Sequence, residues 1–121
     1  MRLVIAIAIG FAAAAAAYAL KLPLRFGAHP FWADQALLWG AAIGAILALI
    51  TSRTHYSLRV LSFTTLTAGA YAVAHIGKMR FAASYAENAF AGQMWFFGWH
   101  AVCIFAMATI VTTAYRPRRG A

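Results

Sequence analysis

Two histidines on neighbouring apolar segments have the spacing in this sequence that best suits cofactor chemistry. His75 lies near the end of the third apolar run, and His100 lies near the start of the fourth. If these runs form consecutive antiparallel helices, one imidazole from each helix could ligate the iron of a b-type haem or line a quinone pocket. The simpler alternative is that each histidine bonds to a neighbouring backbone group or to interfacial water. The cofactor is therefore unknown: we expect none, and haem b is the specific alternative.

Basic and aromatic residues flank both histidines. Two basic residues follow His75 and would meet haem propionates or lipid headgroups. His100 ends the segment MWFFGWH, whose aromatic rings are expected at headgroup depth or as the wall of a ligand pocket. The predicted ligand or headgroup contacts are Lys78, Arg80, Trp95 and Trp99.

The sequence does not support a catalytic or metal site. Its two acidic residues, Asp34 and Glu87, lie away from the centres of the apolar runs, where a helix-capping role and a solvated role explain them. The single Cys103 excludes an internal disulfide and a multi-cysteine metal site. There is no nucleophile with an obvious base. An enzyme is not supported, and the lack of a central carboxylate argues against a small proton-driven exporter.

The composition predicts an integral membrane protein. Of the 121 residues, 64% are hydrophobic and 10% are charged, whereas a soluble domain has about 25% charged residues. A soluble protein of this length could not bury so much apolar surface, so most of that surface must face lipid. The net charge of +8 comes from basic residues that stand at the ends of apolar runs. That placement is typical of topology signals and headgroup contacts, not of nucleic-acid binding.

Four uncharged runs predict an all-α protein with four transmembrane helices in an antiparallel bundle. A spanning helix needs about 20 apolar residues, which each run approaches or exceeds. The charge boundaries place the helices at about 3–20, 34–52, 58–77 and 93–115 of a single domain. Helical spacing of apolar residues at about 80–90 predicts a short interfacial helix between the last two spans.

The connections between the runs add two predictions and one alternative. Two prolines in the link from Lys21 to Trp32 predict a loop, and the short turn TSRTHYS predicts that the second and third helices form a hairpin. Residues 1–19 also resemble a cleaved signal peptide with a small-residue cleavage site. Because LKLPLRF follows at once, we favour a retained first helix. The alternative is a three-helix mature protein.

Small residues recur every four positions on the second predicted helix and therefore share one face. Such a face lets another helix approach closely, either within the bundle or between subunits. The predicted packing residues are Ala36, Gly40, Gly44 and Ala48.

Basic residues predict the orientation in the membrane. More of them fall on the side that carries both termini, so the positive-inside bias puts the termini in the cytoplasm. The six on that side are Arg2, Arg53, Arg59, Arg116, Arg118 and Arg119, and the four on the other side are Lys21, Arg25, Lys78 and Arg80. The alanine-rich, arginine-rich composition indicates a bacterium, and hence its inner membrane.

Three function classes follow from these features. The leading hypothesis is a non-enzymatic accessory or assembly subunit of a larger membrane complex, with other membrane subunits or a second copy as partners. It depends on the small extramembrane mass and on the small-residue face. The alternative is a small oligomeric transporter, flippase or channel, and the third is a membrane subunit that binds haem b or quinone through His75 and His100.

Overall fold

The structure, a computed structural model, describes residues 1–116 and contains four long helices and one short one. The long helices are α1 (Arg2–Ala19), α3 (Ala33–Ile50), α4 (Tyr56–Ala83) and α5 (Ala89–Ala114), and the short one is α2 (Leu22–Phe26). All four long helices have the length and apolar composition needed to cross a membrane. The predictions of an all-α protein and of a multi-pass membrane protein are confirmed at this level. The predicted basic tail at Arg118 and Arg119 lies outside the described residues.

The last helix, α5, is the centre of the molecule. It packs against α4, α3 and α1, whereas α3 and α4 make few contacts with each other. The predicted hairpin of α3 and α4 is therefore wrong. The physical reason is that the closest packing available to α4 is on α5, where Gly77 of α4 lies against the Ala91–Trp95 backbone and Gly98 of α5 lies against Ala74.

Contacts along α5 have a consistent order. Ala74 and Gly77 of α4 meet residues of α5 in reverse sequence order, so these two helices run in opposite directions. Gly40 of α3 lies against Cys103 and Gly44 lies against Met107. The numbers on α3 and α5 increase together, so these two helices run in the same direction.

The connection between α4 and α5 differs from the prediction. No separate interfacial helix occupies residues 80–90: the first of these residues extend α4 to Ala83, and the last begin α5 at Ala89. Charged residues near the end of an amphipathic stretch do not stop a helix, and the apolar spacing that predicted a separate helix fits a continued one equally well. The chain reverses at Tyr85 and Ala86, which have φ angles of 56° and 66°. Asn88 then caps α5 by accepting a hydrogen bond from the Ala91 amide at 3.0 Å.

The segment from Lys21 to Trp32 is also more ordered than predicted. It holds the single helical turn α2, with Pro23 in its first turn, where the missing amide hydrogen costs nothing. Gly27 ends this turn with a φ of 120°, a conformation that favours glycine. The short helix places the rest of the segment across one end of the bundle.

The two ends of the bundle have different chemistry. One end, which we call the arginine end, carries Arg2, Arg53, Arg59 and Arg116, and the Arg2 guanidinium there donates a hydrogen bond to the Arg116 carbonyl. The opposite end, which we call the aromatic end, carries Trp32, Trp95, Phe96 and Trp99. Two clusters of buried apolar residues connect these ends along α5.

Candidate functional site

A long-range hydrogen bond organises the aromatic end. The indole nitrogen of Trp95 on α5 donates to the carbonyl oxygen of Gly27 at 2.9 Å. The Tyr71 hydroxyl on α4 donates to the neighbouring Phe26 carbonyl at 3.3 Å. Both carbonyls belong to the end of α2, so this short turn is held against α5 and α4 at once. The link from Lys21 to Trp32 therefore forms a cap over the bundle.

Trp32 is the centre of the ring contacts in this cap. Its ring centroid lies 5.5 Å from that of Trp95 and 5.3 Å from that of Phe96, both in edge-to-face geometry. Such pairs are favourable by about 0.5–1.5 kcal/mol beyond their area burial. His29 adds a further edge contact to Trp95 at 5.3 Å, and its Nδ1 accepts a hydrogen bond from the Phe31 amide at 3.0 Å.

The two histidines singled out by the sequence have different neighbours. The His100 ring lies 4.3 Å from Phe96 and 6.2 Å from Trp32, and its Nδ1 lies 2.8 Å from the Phe96 carbonyl oxygen. His75 is exposed and stacks on Tyr71 of its own helix at 6.3 Å. Shared ligation of a haem or quinone stays a prediction.

The other predicted ligand contacts are spread over the same end. Trp99 is buried and packs edge-to-face on Tyr71 at 5.8 Å, so it belongs to the core of the bundle. Lys78 is half-buried, with its ammonium group beside Gly27 of the cap, and Arg80 is exposed. Lys78 and Trp95 thus meet at Gly27, while Arg80 is free to reach headgroups.

Sequence reasoning missed the cap itself. The sequence predicts only a loop from Lys21 to Trp32, yet His29 and Trp32 within this link both touch Trp95. The signal that could have found them is Pro23 followed by Gly27, a helix start followed by a helix end that together define one turn. Nothing in the sequence pairs that turn with Trp95.

The predicted packing residues of α3 lie in one stripe, which we call the Gly40 stripe, and this stripe is covered by α5. Ala36 and Ala48 are 0% and 2% exposed. A methyl group added at Gly40 would overlap the Cys103 side chain, and one at Gly44 would overlap the Ile104 carbonyl oxygen. The Gly40 stripe is therefore an internal contact of this chain, which decides between the two readings of the sequence.

A second set of small residues lies on α4 and is not covered by another helix of the described chain. All its members are exposed. A methyl group added at Gly69 would have nothing within 4 Å, in contrast to the glycines at the helix contacts above. We call this surface the Gly69 face, and it consists of Thr64, Thr65, Ala68, Gly69 and Ala72.

A groove runs along one edge of the Gly69 face, between α4 and α5. It has a volume of about 520 Å³. Thr64 and Ala68 belong to both the face and the groove. The hydroxyl groups of Thr67 and Thr109 in its walls donate to carbonyls of their own helices at 2.7 Å. The groove therefore presents mainly methyl groups, to which apolar side chains are complementary.

The described residues contain no metal-ligand cluster. Within residues 1–116, no group of three or more His, Cys, Asp or Glu side chains is arranged to hold a metal ion. The cavity between α1, α3 and α5, about 150 Å³ in volume, is lined by apolar residues such as Leu37, Trp99 and Met107. What the geometry provides is helix surface, at the cap and at the Gly69 face. Comparisons of the chain with protein-family models, with curated proteins and with solved structures give no match.

Proposed function

We propose that this protein is a non-enzymatic accessory subunit of a larger membrane complex, and that a transmembrane helix of a partner subunit packs on the Gly69 face. The proposal places it in a bacterial inner membrane, with the four long helices crossing in alternating directions and the arginine end in the cytoplasm. The single observation that carries the proposal is the open surroundings of Gly69 on a helix of membrane length.

The argument begins with what glycine contributes to a membrane helix. Lipid tails are as apolar as the side chains, so helices associate through close van der Waals packing, which small residues permit. This chain uses glycine in that way at Gly10, Gly40, Gly77 and Gly98, each of which lies against another helix. Gly69 lies beside the other small residues of the Gly69 face, and a methyl group added there meets nothing within 4 Å.

The lipid-facing surface of α3 looks different. The exposed positions of α3 carry large side chains, among them Leu38, Trp39, Ile43 and Ile46. Such residues fill the uneven boundary with lipid, whereas glycine and threonine leave grooves that a rigid helix fills better. The groove of about 520 Å³ beside the Gly69 face is wide enough for large apolar side chains of a partner.

The cavities described above do not favour the rival transport function. A transporter or channel needs a polar stripe through the membrane, since ions and polar solutes must exchange their hydration for protein groups. The cavity among α1, α3 and α5 is lined by apolar residues, and the Thr67 and Thr109 hydroxyls of the groove already bond to backbone. A protein that binds another transmembrane helix does not need polar groups to replace the hydration of a solute.

The test replaces Gly69 by isoleucine and follows association in mild detergent. Native mass spectrometry and size-exclusion chromatography of the extracted protein report which subunits remain bound. We expect a complex with a different membrane protein for the unmodified chain and its loss for Gly69→Ile, because the added side chain separates the helices. The matched control is Ala12→Ile on α1, an exposed alanine on another helix.

Three outcomes are distinguishable. Loss of the partner in Gly69→Ile and its retention in Ala12→Ile supports the proposal. A lone monomer after mild extraction, or a complex that ignores Gly69→Ile, contradicts it. A complex that contains only a second copy of this chain would replace the accessory role by self-association.

A further inference from the structure

A buried arginine stands at the start of α4, at the arginine end. Arg59 is 5% exposed and immediately precedes the uncharged run that begins at Val60. Removing a guanidinium from water costs several kcal/mol unless its charge is paired and its donors are satisfied. The side chain must therefore have a reason to be held there.

The described residues provide partners for only some of the hydrogen-bond donors of this guanidinium. Its Nε donates to the Thr54 carbonyl at 2.9 Å, and its Cζ lies 5.9 Å from the centre of the Tyr56 ring. Its Nη1 is buried and has no hydrogen-bond partner within the described part of the chain. A neutral carbonyl and a ring face leave a full positive charge without a counter-charge among residues 1–116.

The N-terminus of α4 lies beside the same side chain. The helix begins at Tyr56, has no side chain capping its first amides and has no acidic residue in its first turn. Free amides and the helix dipole make such a terminus attractive to anions. Thr54 and Tyr56, which contact the guanidinium, flank this terminus, so the guanidinium and the free amides converge on one place.

A second buried donor lies near the same level of the bundle. The hydroxyl oxygen of Thr112 on α5 is buried without a partner within residues 1–116. Thr64 of α4 and Thr109 of α5 line the same groove. Because α4 and α5 run in opposite directions, Arg59 and Thr112 lie at similar heights along the bundle, farther toward the arginine end. Of the two, only Arg59 is charged, so its guanidinium is the group that lacks a counter-ion among residues 1–116.

The missing group must be an anion available at the membrane surface. Both acidic residues of the chain, Asp34 and Glu87, lie next to the opposite, aromatic end. Arg59 stands where the uncharged part of α4 begins, which is the depth of phospholipid headgroups. A phosphate offers several acceptor oxygens and a planar match to a guanidinium.

We propose that Arg59 and the N-terminus of α4 form a binding site for a phosphate group, supplied by the headgroup of a phospholipid. Arg59 gives the charge and its free Nη donors, and the first amides of α4 give uncharged donors. The site is independent of the Gly69 face, since it lies at the end of α4 and uses no residue of that face.

The test measures phospholipid retention by the purified, delipidated full chain. Native mass spectrometry is recorded after addition of phosphatidylglycerol, of diacylglycerol with the same acyl chains, and of inorganic phosphate. We expect a defined adduct with phosphatidylglycerol and none with diacylglycerol, because the phosphate carries the recognition. An inorganic phosphate adduct that competes with the lipid adduct would identify a free anion as the source.

Variants at two arginines separate this site from general surface charge. Arg59→Gln should weaken phosphatidylglycerol binding at least about tenfold, since hydrogen bonds to charged groups contribute about 1.5–3 kcal/mol. Arg53→Gln is the matched control: it removes the same charge from an exposed position of the adjacent loop, and we expect less than about a twofold effect. Arg59→Lys tests the same site with the positive charge kept. Its phosphatidylglycerol binding should be weaker than that of the unmodified chain and stronger than that of Arg59→Gln.

Two results would overturn the proposal. One is equal retention of phosphatidylglycerol and diacylglycerol, which would leave only acyl-chain binding. The other is an equal effect of Arg53→Gln and Arg59→Gln, or no effect of either, on protein with an unchanged circular dichroism spectrum. If Arg59→Gln does not fold, Arg59→Lys against Arg53→Lys gives the same comparison with the charge kept.

Discussion

Two helix faces rich in small residues, the Gly40 stripe of α3 and the Gly69 face of α4, have opposite surroundings in the folded chain. Gly40 and Gly44 lie so close to α5 that no side chain fits between the helices. At Gly69, by contrast, an added methyl group would have no atom of another helix within 4 Å. The same residue type thus occupies a closed contact in one helix and an open surface in the other.

The difference teaches how packing is distributed in a small membrane protein. α5 supplies the close contacts of α3 and one side of α4, and within residues 1–116 no further helix packs extensively on the other side of α4. A helix that spans the membrane with one packed side has a second side available for a partner. Substitution of glycines on both faces tests whether this division is physical.

The largest effect is expected for Gly40→Leu. The added side chain would meet the backbone and side chain of Cys103, so α3 and α5 must separate. Overpacking against backbone at this depth should lower the free energy of unfolding by about 3 kcal/mol or more. Unfolding in mixed micelles, followed by tryptophan fluorescence, measures it. Wild-type stability for Gly40→Leu would mean that α3 does not pack on α5 as described.

An intermediate effect is expected for Gly77→Ala, on the same helix as Gly69. The new methyl group would lie 2.6 Å from the Trp95 amide nitrogen and 2.7 Å from the Ala91 carbonyl oxygen. Both are backbone atoms, so the helices must shift, at a cost of about 1–3 kcal/mol in unfolding free energy. The same micelle titration measures the loss. An unchanged or increased stability would indicate that α4 lies farther from α5.

The smallest effect is expected for Gly69→Ala, the counterpart of Gly77→Ala on the open face. Its methyl group meets nothing within 4 Å, and alanine restricts the unfolded chain more than glycine does. We expect stability equal to that of the unmodified chain or higher by up to about 1 kcal/mol. A loss as large as that of Gly77→Ala in the isolated protein would show that the Gly69 face is not open.

The membrane spans could be predicted from the sequence because lipid thickness fixes the length of an apolar helix. The boundaries of α1 and α3 are close to the limits set by charged residues. The end of α4 could not be predicted in the same way, since Lys78 and Arg80 are long side chains that reach polar surroundings from within a helix. The extension to Ala83 reflects continued apolar spacing rather than hydropathy.

The arrangement of the helices was beyond the reach of the sequence pattern. Four-residue spacing at Gly40 identified a close contact but not its partner, because hydropathy does not encode which helices are neighbours. The same limit applies at the aromatic end, where the sequence predicts a ligand or headgroup contact for Trp95 but not the hydrogen bond from its indole nitrogen to the Gly27 carbonyl. His75 and His100 were chosen by residue type, and their neighbours depend on how α4 and α5 face the rest of the chain.

The central position of α5 has a consequence for how the protein is made. α5 follows α1, α3 and α4 in the chain, and it is the helix against which all three pack. Synthesis proceeds at about 5–20 residues per second, so the earlier helices wait on the order of seconds for α5 in the bilayer. During that interval the Gly40 stripe faces lipid or insertion machinery instead of Cys103. Assembly of the bundle is therefore a late event in translation. A chain that ends before Ala89 contains α1, α3 and α4 without the helix on which all three pack.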